Sequence, residues 1–179
     1  MKKTAEGITI RPAREDELTA IYDINSFAWD GVCVAQLVER RHGVVAGVGW
    51  QDRKATEVDD WCKQHLDRVL VAEVEGRVVG YATSWFHARD RAGEVANNAV
   101  HPDWRNRGIA TALVAAVVRT LLAEGAQMLR VTTMEQDLPA QRVYGKLGFR
   151  ELGRSIMYTM SAAEATAALD NVMKDERGR

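Results

Sequence analysis

The sequence predicts a single mixed α/β domain. Its 179 residues suit one domain, and its 46% hydrophobic and 27% charged residues are an ordinary globular balance. Short segments with strand periodicity alternate along the chain with segments of helical periodicity. One helical segment is apolar on almost every side and lies between two strand segments, which is typical of a helix buried against a sheet. This order of elements predicts a sheet flanked by helices, in which some strands are parallel.

The first 66 residues are predicted to contain one strand followed by helices. Residues 8–11 alternate apolar and polar side chains like a half-buried strand. A helix that begins at Glu15 or Asp16 follows, and further helices are predicted over 32–40 and 57–66. The glycine-rich stretch between the last two lacks the Lys-Ser/Thr pair of a phosphate-binding loop, so we interpret it as a loop.

The middle of the chain is predicted to be rich in strands. Residues 69–74 and 78–86 have strand character, and the turn at 75–77 joins them into a hairpin. A second turn at 89–93 leads into a third strand over 94–100.

The last third of the chain contains the buried helix, predicted over 107–124, and a strand over 128–133. Because strand–helix–strand connections are right-handed crossovers, this strand should be the parallel neighbour of the strand over 94–100. The remaining predicted elements are a short helix over 138–147, final strands at Phe149 and over 156–160, and a helical tail from Ser161.

Composition and spacing argue against several classes of protein. Cys33 and Cys62 form no CxxC pair or disulfide framework, and the four histidines show no metal-ligand spacing, so we expect no metal. The basic start, Met1–Thr4, is not followed by an apolar segment, and no apolar run could span a bilayer. We therefore expect a soluble, cytoplasmic protein without a membrane partner. The net charge of -1 argues against a nucleic-acid partner, and a homodimer is left open.

A basic turn precedes the long helix. Amides at a helix N-terminus have no partner within the helix and carry partial positive charge, which favours an anion there. Gly108 lacks a Cβ, so the backbone can approach a ligand closely, and Arg105 and Arg107 add cationic donors. By residue chemistry alone, a diphosphate site and an ordinary basic surface turn are equally well supported.

Two segments resemble the acetyl-CoA-dependent GNAT N-acetyltransferases. Arg105, Gly108 and Ala110 fill the three positions of the family's Arg/Gln-x-x-Gly-x-Gly/Ala motif, which follows a strand and a proline-containing loop. Residues 140–149 resemble the family's Ala-x-x-x-Tyr-x-x-x-Gly-Phe segment. The resemblance covers about residues 8–160, and two spaced motifs in the right order make it specific.

The resemblance implies a fold and a co-substrate. A GNAT domain over 1–179, with its core at 8–160 and a tail at 161–179, has a central mixed twisted sheet flanked by helices. About six to seven strands are expected, splayed at a bulge between the fourth and fifth. Acetyl-CoA is the implied co-substrate, without a metal. The residues implied to bind it are Asn98, Ala99, Val100, Arg105, Asn106, Arg107, Gly108, Ile109, Ala110, Thr111, Asp137, Ala140 and Tyr144.

Two side chains resemble the family's catalytic groups. Glu94 resembles the glutamate that is the general base in several members, and burial would raise its pKa toward neutrality, although an exposed carboxylate explains it equally well. Tyr144 resembles the tyrosine that protonates the CoA sulfur, although its place on an apolar helix face also suits a core residue. The amide of Val100, or of Ala99, is the expected hydrogen-bond donor to the thioester carbonyl.

Three polar residues have two interpretations each. Asp137 occupies a position where the family often has an Asn that holds the pantetheine arm or the acceptor, but a helix N-cap also explains an Asp there. Asn97 and Asn98 lie in a central strand, where apolar residues are expected. Adjacent strand residues face opposite sides, so only one of the two asparagines can orient an acceptor, and a structural hydrogen bond is equally supported.

The acceptor pocket is implied to come from residues 32–66, and the acceptor itself stays open: a small-molecule amine, or a protein N-terminus or lysine. Aromatic residues could form an apolar wall or pack singly in the core, and acidic residues of the third helix could attract an amine, although a solvated face is favoured. The residues concerned are Trp29, Trp50, Trp61, Trp85, Glu57, Asp59 and Asp60.

The leading hypothesis is an N-acetyltransferase (EC 2.3.1.-) that moves acetyl from acetyl-CoA to a primary amine by direct attack, with a Glu base and a Tyr acid. The alternative is a non-catalytic acyl-CoA-binding sensor of the same fold. Glu94 and Tyr144 favour the enzyme, because a protein that only binds acyl-CoA needs neither. Asp137, which replaces the family's usual Asn, is compatible with the sensor.

Overall fold

Five strands in chain order form the central sheet of the computed structural model, which describes residues 7–177, with side chains up to residue 171. The basic start of the chain and its last two residues lie outside this range. The first four strands pair antiparallel, and the fifth pairs parallel to the fourth. The strands are β1 (Ile8–Pro12), β2 (Val69–Val74), β3 (Arg77–His87), β4 (Ala92–Val100) and β5 (Met128–Val131).

Helices connect the strands and cover the two faces of the sheet. Three lie between β1 and β2, one connects β4 to β5, and two follow β5. They are α1 (Leu18–Ala28), α2 (Val34–His42), α3 (Trp50–Gln64), α4 (Ile109–Ala123), α5 (Leu138–Lys146) and α6 (Ala162–Arg177). Among the described residues, no helix is both long enough and apolar enough to cross a membrane.

The apolar residues form two clusters, one on each face of the sheet. Helix α4 buries Leu113, Val117 and Leu121 against one face, as its almost uniformly apolar sequence predicts. Helices α1 and α3 bury Ile21 and Val58 against the other face. The resulting order of layers, helix on sheet on helix, confirms the predicted mixed α/β class.

Strands β4 and β5 separate halfway along β4. Residues 92–95 pair in parallel with residues 128–131, which confirms the predicted parallel neighbours. Opposite β3, the register shifts so that Ala96 and Asn97 both oppose Thr83, which is a β-bulge. After the bulge β4 continues to Val100 while β5 has ended, and this confirms the predicted splay between the fourth and fifth strands.

The structure corrects one helix boundary and the predicted final strands. Helix α3 begins at Trp50 rather than at residue 57, because Trp50, Ala55 and Val58 share a buried face that polar residues interrupt in the sequence. The final strands predicted at Phe149 and over 156–160 are wrong, so in the part of the chain that the structure describes the sheet has five strands and not six to seven. Alternating apolar residues favour an extended backbone, but a strand also needs a partner to pair with, and none lies beside this segment within the described residues.

Candidate active site

The turn before α4 places free helix amides at the surface. Gly108 has φ +82° and is the N-cap of α4, and Asn106 has φ +62°. Glycine adopts this left-handed region without strain, and Asn tolerates it better than most residues. A Cβ on Gly108 would meet nothing within 4 Å, so the space in front of the turn is open. The amides of residues 109–111 begin the helix and have no acceptor within it, which suits an anion.

Two arginines add positive charge to this turn. Arg105 donates from Nη2 to the carbonyl of Ala28 at 3.2 Å and from Nε to the carbonyl of Val100 at 3.4 Å. Arg107 stacks over the Trp104 ring, with its guanidinium carbon 4.6 Å from the ring centroid. The partners in these contacts are uncharged, so the contacts position the guanidinium groups without neutralising them.

The end of β4 exposes backbone donors toward the gap left by β5. The amide of His101 donates to the carbonyl of Val79 at 2.9 Å. Because amides alternate in direction along an antiparallel ladder, the amide of Ala99 also points toward β3, and those of Asn98 and Val100 point the other way. Of the two predicted carbonyl donors, Val100 is therefore the one that faces the gap between β4 and β5.

Tyr144 of α5 lies beside this gap. Asn98 Nδ2 donates to the Tyr144 hydroxyl at 3.1 Å, which joins two of the predicted site residues across β4 and α5. The ring is buried and contacts Phe149 edge-on, so it also packs in the core. Burial raises the pKa of Tyr144, the hydrogen bond from Asn98 partly offsets this, and the nearby Asp137 carboxylate raises it further. The phenol is thus protonated at neutral pH.

Asp137 acts as the N-cap of α5. One carboxylate oxygen accepts from the Ala140 amide at 3.1 Å, and the other accepts from the Thr133 hydroxyl at 3.2 Å. With an intramolecular partner for each oxygen, the capping interpretation accounts for Asp137.

A cleft of about 310 Å³ opens on the face of the sheet opposite Tyr144, between α3, β3 and β4. The rings of Trp61 and Trp85 are 6.2 Å apart in an edge arrangement, and His65 lies 4.8 Å from Trp85. Of the four tryptophans considered for an aromatic wall, only these two line the cleft. Trp50 is buried in the core, and Trp29 donates to Asn25 Oδ1 at 2.6 Å. The lining residues are Trp61, His65, Trp85, His87, Glu94 and Ala96.

Glu94 lies in this cleft between two basic side chains. Its Oε2 is 2.6 Å from Arg130 Nη2 and 3.1 Å from His87 Nε2. Burial alone would raise the pKa of Glu94, but the hydrogen bonds and charges of Arg130 and His87 outweigh it and lower the pKa. The expectation of a raised pKa is therefore wrong. Sequence reasoning missed Arg130 and His87, because only the strand register brings them beside Glu94.

The two asparagines of β4 face opposite sides, as adjacent strand residues should. Asn98 contacts Tyr144, and Asn97 accepts from Lys54 Nζ of α3 at 3.0 Å. Lys54 also pairs with Glu57 at 2.9 Å, while Lys63 pairs with Asp59 at 2.6 Å. These pairings support the solvated-face interpretation of the acidic residues. In the part of the chain that the structure describes, no three His, Cys, Asp or Glu residues converge as a metal site requires.

Comparisons with known proteins give a family match and a shared fold. A family model described as the acetyltransferase (GNAT) family matches residues 18–149. An acetyltransferase from Pectobacterium atrosepticum is 34% identical over 100 residues, which cover 56% of this chain and 69% of the relative.

Two further proteins extend the likeness. The mycothiol acetyltransferase of Streptomyces bingchenggensis is 27% identical over 153 residues, 86% of this chain and 46% of the relative, so this chain spans about half of its length. The aminoglycoside N-acetyltransferase AAC(6')-Iy, solved with the bisubstrate analogue CoA-S-monomethyl-acetylneamine, superposes with a TM-score of 0.62. That match is 21% identical and covers 88% of this chain and 100% of the other, and it shows the fold.

Proposed function

The chain belongs to the acetyltransferase (GNAT) family, and we propose that it moves the acetyl group of acetyl-CoA to a primary amine bound in the aromatic cleft. One observation carries the proposal. The basic turn, the Val100 amide and the Asn98–Tyr144 pair lie along one side of the splayed strand, and the Glu94 cleft opens on the other. A donor and an acceptor can therefore approach the gap between β4 and β5 from opposite faces.

The donor side suits acetyl-CoA. The amides of residues 109–111 and the two arginines of the turn offer donors and positive charge to a diphosphate. The amides that point into the gap after the bulge can pair with the amide groups of the pantetheine arm, as a neighbouring strand would. CoA in the bisubstrate complex of AAC(6')-Iy, a protein of the same fold, supports this assignment.

The reaction we propose is a direct transfer. The amine nitrogen attacks the thioester carbon, the new C–N bond forms, and the C–S bond breaks. The Val100 amide donates a hydrogen bond to the carbonyl oxygen as negative charge develops on it. Tyr144 gives its phenolic proton to the departing thiolate, and the Asn98 side chain, which donates to the phenol oxygen, stabilises the phenolate that remains.

The amine proton leaves toward Glu94. Because Arg130 and His87 lower the pKa of Glu94, the carboxylate is ionised at neutral pH and attracts an ammonium group. Glu94 and the Asn98–Tyr144 pair lie on opposite faces of β4, so we propose that the proton passes through a water molecule. His87 also contacts Glu94 directly, with its Nε2 3.1 Å from Glu94 Oε2.

The cleft favours an amine attached to an apolar or aromatic group. Trp61 and Trp85 supply ring faces for such a group, and an ammonium beside them gains a cation–π attraction. Glu94 supplies a negative charge in the lining of the same cleft. An aminoglycoside is a second type of acceptor to test, because the bisubstrate analogue bound by AAC(6')-Iy contains acetylneamine.

The test is release of free thiol from acetyl-CoA with a panel of amines. The panel compares an arylalkyl amine with an alkyl amine of equal chain length, neamine, and a peptide with a free N-terminus. We expect thiol release, fastest with the arylalkyl amine, and we expect Trp85→Ala to remove that preference while the KM for acetyl-CoA stays unchanged. Tight acetyl-CoA binding with no thiol release from any amine would instead establish the sensor.

A further inference from the structure

Lys54 of α3 places a positive charge beside the bulge of β4. Its Nζ donates to Asn97 Oδ1 at 3.0 Å and to Glu57 Oε1 at 2.9 Å, and it lies 5.0 Å from the centre of the Trp29 ring. Only 12% of the Lys54 side chain is exposed. Taking an ammonium group out of water is costly, so a lysine held in this way needs partners that replace its hydration.

The partners of Lys54 offset its charge only weakly. Asn97 and Trp29 are uncharged. Glu57 is a carboxylate, but 64% of its side chain is exposed, and the pair joins neighbouring turns of one helix. Exposed pairs of this kind contribute little to stability, so Glu57 can turn into water when another anion takes its place. Lys54 is therefore able to bind a carboxylate that a ligand supplies.

Lys54 borders the aromatic cleft. Lys54 and Trp61 are about two helical turns apart on α3, so their side chains lie on one face of the helix. On β4, Asn97 directly follows Ala96, which lines the cleft, and Glu94 lies about 10 Å further back along the strand. One small molecule in the cleft can therefore reach both the Glu94 carboxylate and the Lys54 ammonium.

The charges around the cleft suit a zwitterion better than a cation. The Glu94 carboxylate is already paired with Arg130, whose Nη2 lies 2.6 Å from Oε2. Lys54 adds a further positive charge beside the cleft. An acceptor with several positive charges would meet both of these cations, and repulsion would oppose its binding. A molecule with one ammonium and one carboxylate can place each charge beside a group of opposite sign.

We propose that the acceptor is a free amino acid with an apolar or aromatic side chain, bound with its carboxylate at Lys54 and its amine toward Glu94. The rings of Trp61 and Trp85 contact the side chain of the amino acid. The acetyl C–S bond breaks and a C–N bond forms, so that an ammonium and a thioester give an amide, a thiol and a proton. This inference rests on the proposed function and narrows the class of acceptor.

The first test compares substrates that differ only at the carboxylate. Phenylalanine and leucine are each assayed against their carboxamides and their decarboxylated amines, by thiol release from acetyl-CoA. We expect kcat/KM to be about tenfold or more higher for the free amino acids, because only they form the ion pair with Lys54. The amine of a carboxamide is less basic and loses its proton more readily, so amine basicity alone predicts that the carboxamide reacts faster.

The second test uses variants of Lys54. Lys54→Met removes the charge and should abolish the preference for the free amino acid over its carboxamide, whereas Lys54→Arg should retain most of it. The measured quantity is the ratio of the two kcat/KM values, which does not change if part of the protein is unfolded. Lys63→Met is the matched control, because Lys63 lies in the same helix and pairs with Asp59 at 2.6 Å. This control should keep the wild-type ratio.

The possible outcomes separate this inference from the proposed function. Carboxamides or decarboxylated amines that react as fast as the free amino acids overturn the inference and leave the proposed function standing. So does thiol release with neamine or a peptide but with none of these compounds. A preference for free amino acids that Lys54→Met leaves intact contradicts the role of Lys54. Absence of thiol release with every amine overturns the proposed function, and the inference fails with it.

Discussion

At the scale of single residues, the proposed base and the proposed acid lie on opposite faces of β4. Glu94 faces the aromatic cleft and is held by Arg130 and His87, whereas Asn98 faces the other side and donates to Tyr144. The pKa shifts follow this division, because the basic neighbours lower the pKa of Glu94 and burial raises that of Tyr144. At neutral pH the first group is therefore a carboxylate and the second a phenol, which are the forms that the base and the acid require.

Replacing Glu94 with glutamine should reduce turnover more at pH 7 than at pH 9. Removing a general base costs about 100-fold or more, but at higher pH a larger fraction of the amine is already unprotonated and needs the base less. The measurement is kcat/KM against pH for wild type and Glu94→Gln. Glu75→Gln, an exposed carboxylate in the turn between β2 and β3, is the control and should leave the profile unchanged. A loss of equal size at the two pH values would contradict the assignment of the base.

Replacing Tyr144 with phenylalanine should slow the chemical step by about 100-fold, because the thiolate loses its proton donor. Acetyl-CoA affinity and the melting temperature should change little, because the buried ring and its contact with Phe149 stay. Single-turnover kinetics and calorimetric acetyl-CoA titration measure the two effects separately. The control is Tyr22→Phe, which removes the hydroxyl of a half-buried tyrosine in α1 and should behave like wild type. A Tyr144→Phe protein that unfolds, or that turns over normally, argues for a core role alone.

At the scale of elements, the start of α4 and the bulge in β4 form the proposed donor side. The bulge at Ala96 and Asn97 comes where β5 diverges. Within residues 7–177, no strand therefore pairs with the last residues of β4 on that side. The long apolar helix returns from the end of β4 and is fixed by burial against the sheet. Its N-terminus therefore lies beside the gap, which is why one short turn can bring positive charge to the proposed donor site.

Gly108→Ala should weaken acetyl-CoA binding and destabilise the protein by about 1–2 kcal/mol, the cost of a left-handed conformation for a residue with a Cβ. The cause is the φ of +82°, since the space around a Cβ there is open. Gly145→Ala is the matched control, because it lies inside α5 and a Cβ there also meets nothing within 4 Å. Gly145→Ala should raise the free energy of unfolding by up to about 1 kcal/mol. Chemical denaturation and acetyl-CoA titration measure the effects, and equal stability changes in the two variants would contradict the strain argument.

At the scale of the whole molecule, an ion cluster joins the N-terminal strand to the rest of the sheet and to α1. Arg11 of β1 donates from Nε to Glu73 of β2 at 3.0 Å and from Nη1 to Glu17 at 2.9 Å. The Arg14 backbone amide also donates to Glu17, at 2.8 Å. The hydrogen bond from Arg11 is the largest cause that lowers the pKa of Glu17, and burial opposes it only in part.

Stability should therefore fall in acid. A carboxyl group whose folded pKa is lowered stabilises the fold above its unfolded pKa, near 4.5, and loses that contribution as pH falls through the folded value. Glu17→Gln should cost roughly 2 kcal/mol at pH 7 and should flatten the decline in the free energy of unfolding between pH 5 and pH 3. Denaturant titrations across this range measure it. The control is Asp16→Asn, at an exposed neighbouring carboxylate, which should not change the decline in the free energy of unfolding with falling pH. If Glu17→Gln also leaves this decline unchanged, the role of the cluster is contradicted.

The sequence by itself determined the class of fold, the parallel pairing of β4 with β5 and the basic turn before α4. These depend on local periodicity, on glycine at a left-handed position and on a motif of adjacent residues. All three are properties of residues that are close together in the sequence. The family match over residues 18–149 agrees with that interpretation.

Only the tertiary structure decided which side chains meet. The pairing of Glu94 with Arg130 and His87 depends on strand register, so the direction of its pKa shift could not be derived from the chain alone. Likewise, the alternation of residues 156–160 shows an extended backbone, but whether such a segment becomes a strand depends on an edge within reach. Contacts between distant residues are set by how the layers pack, and periodicity along the chain carries no information about them.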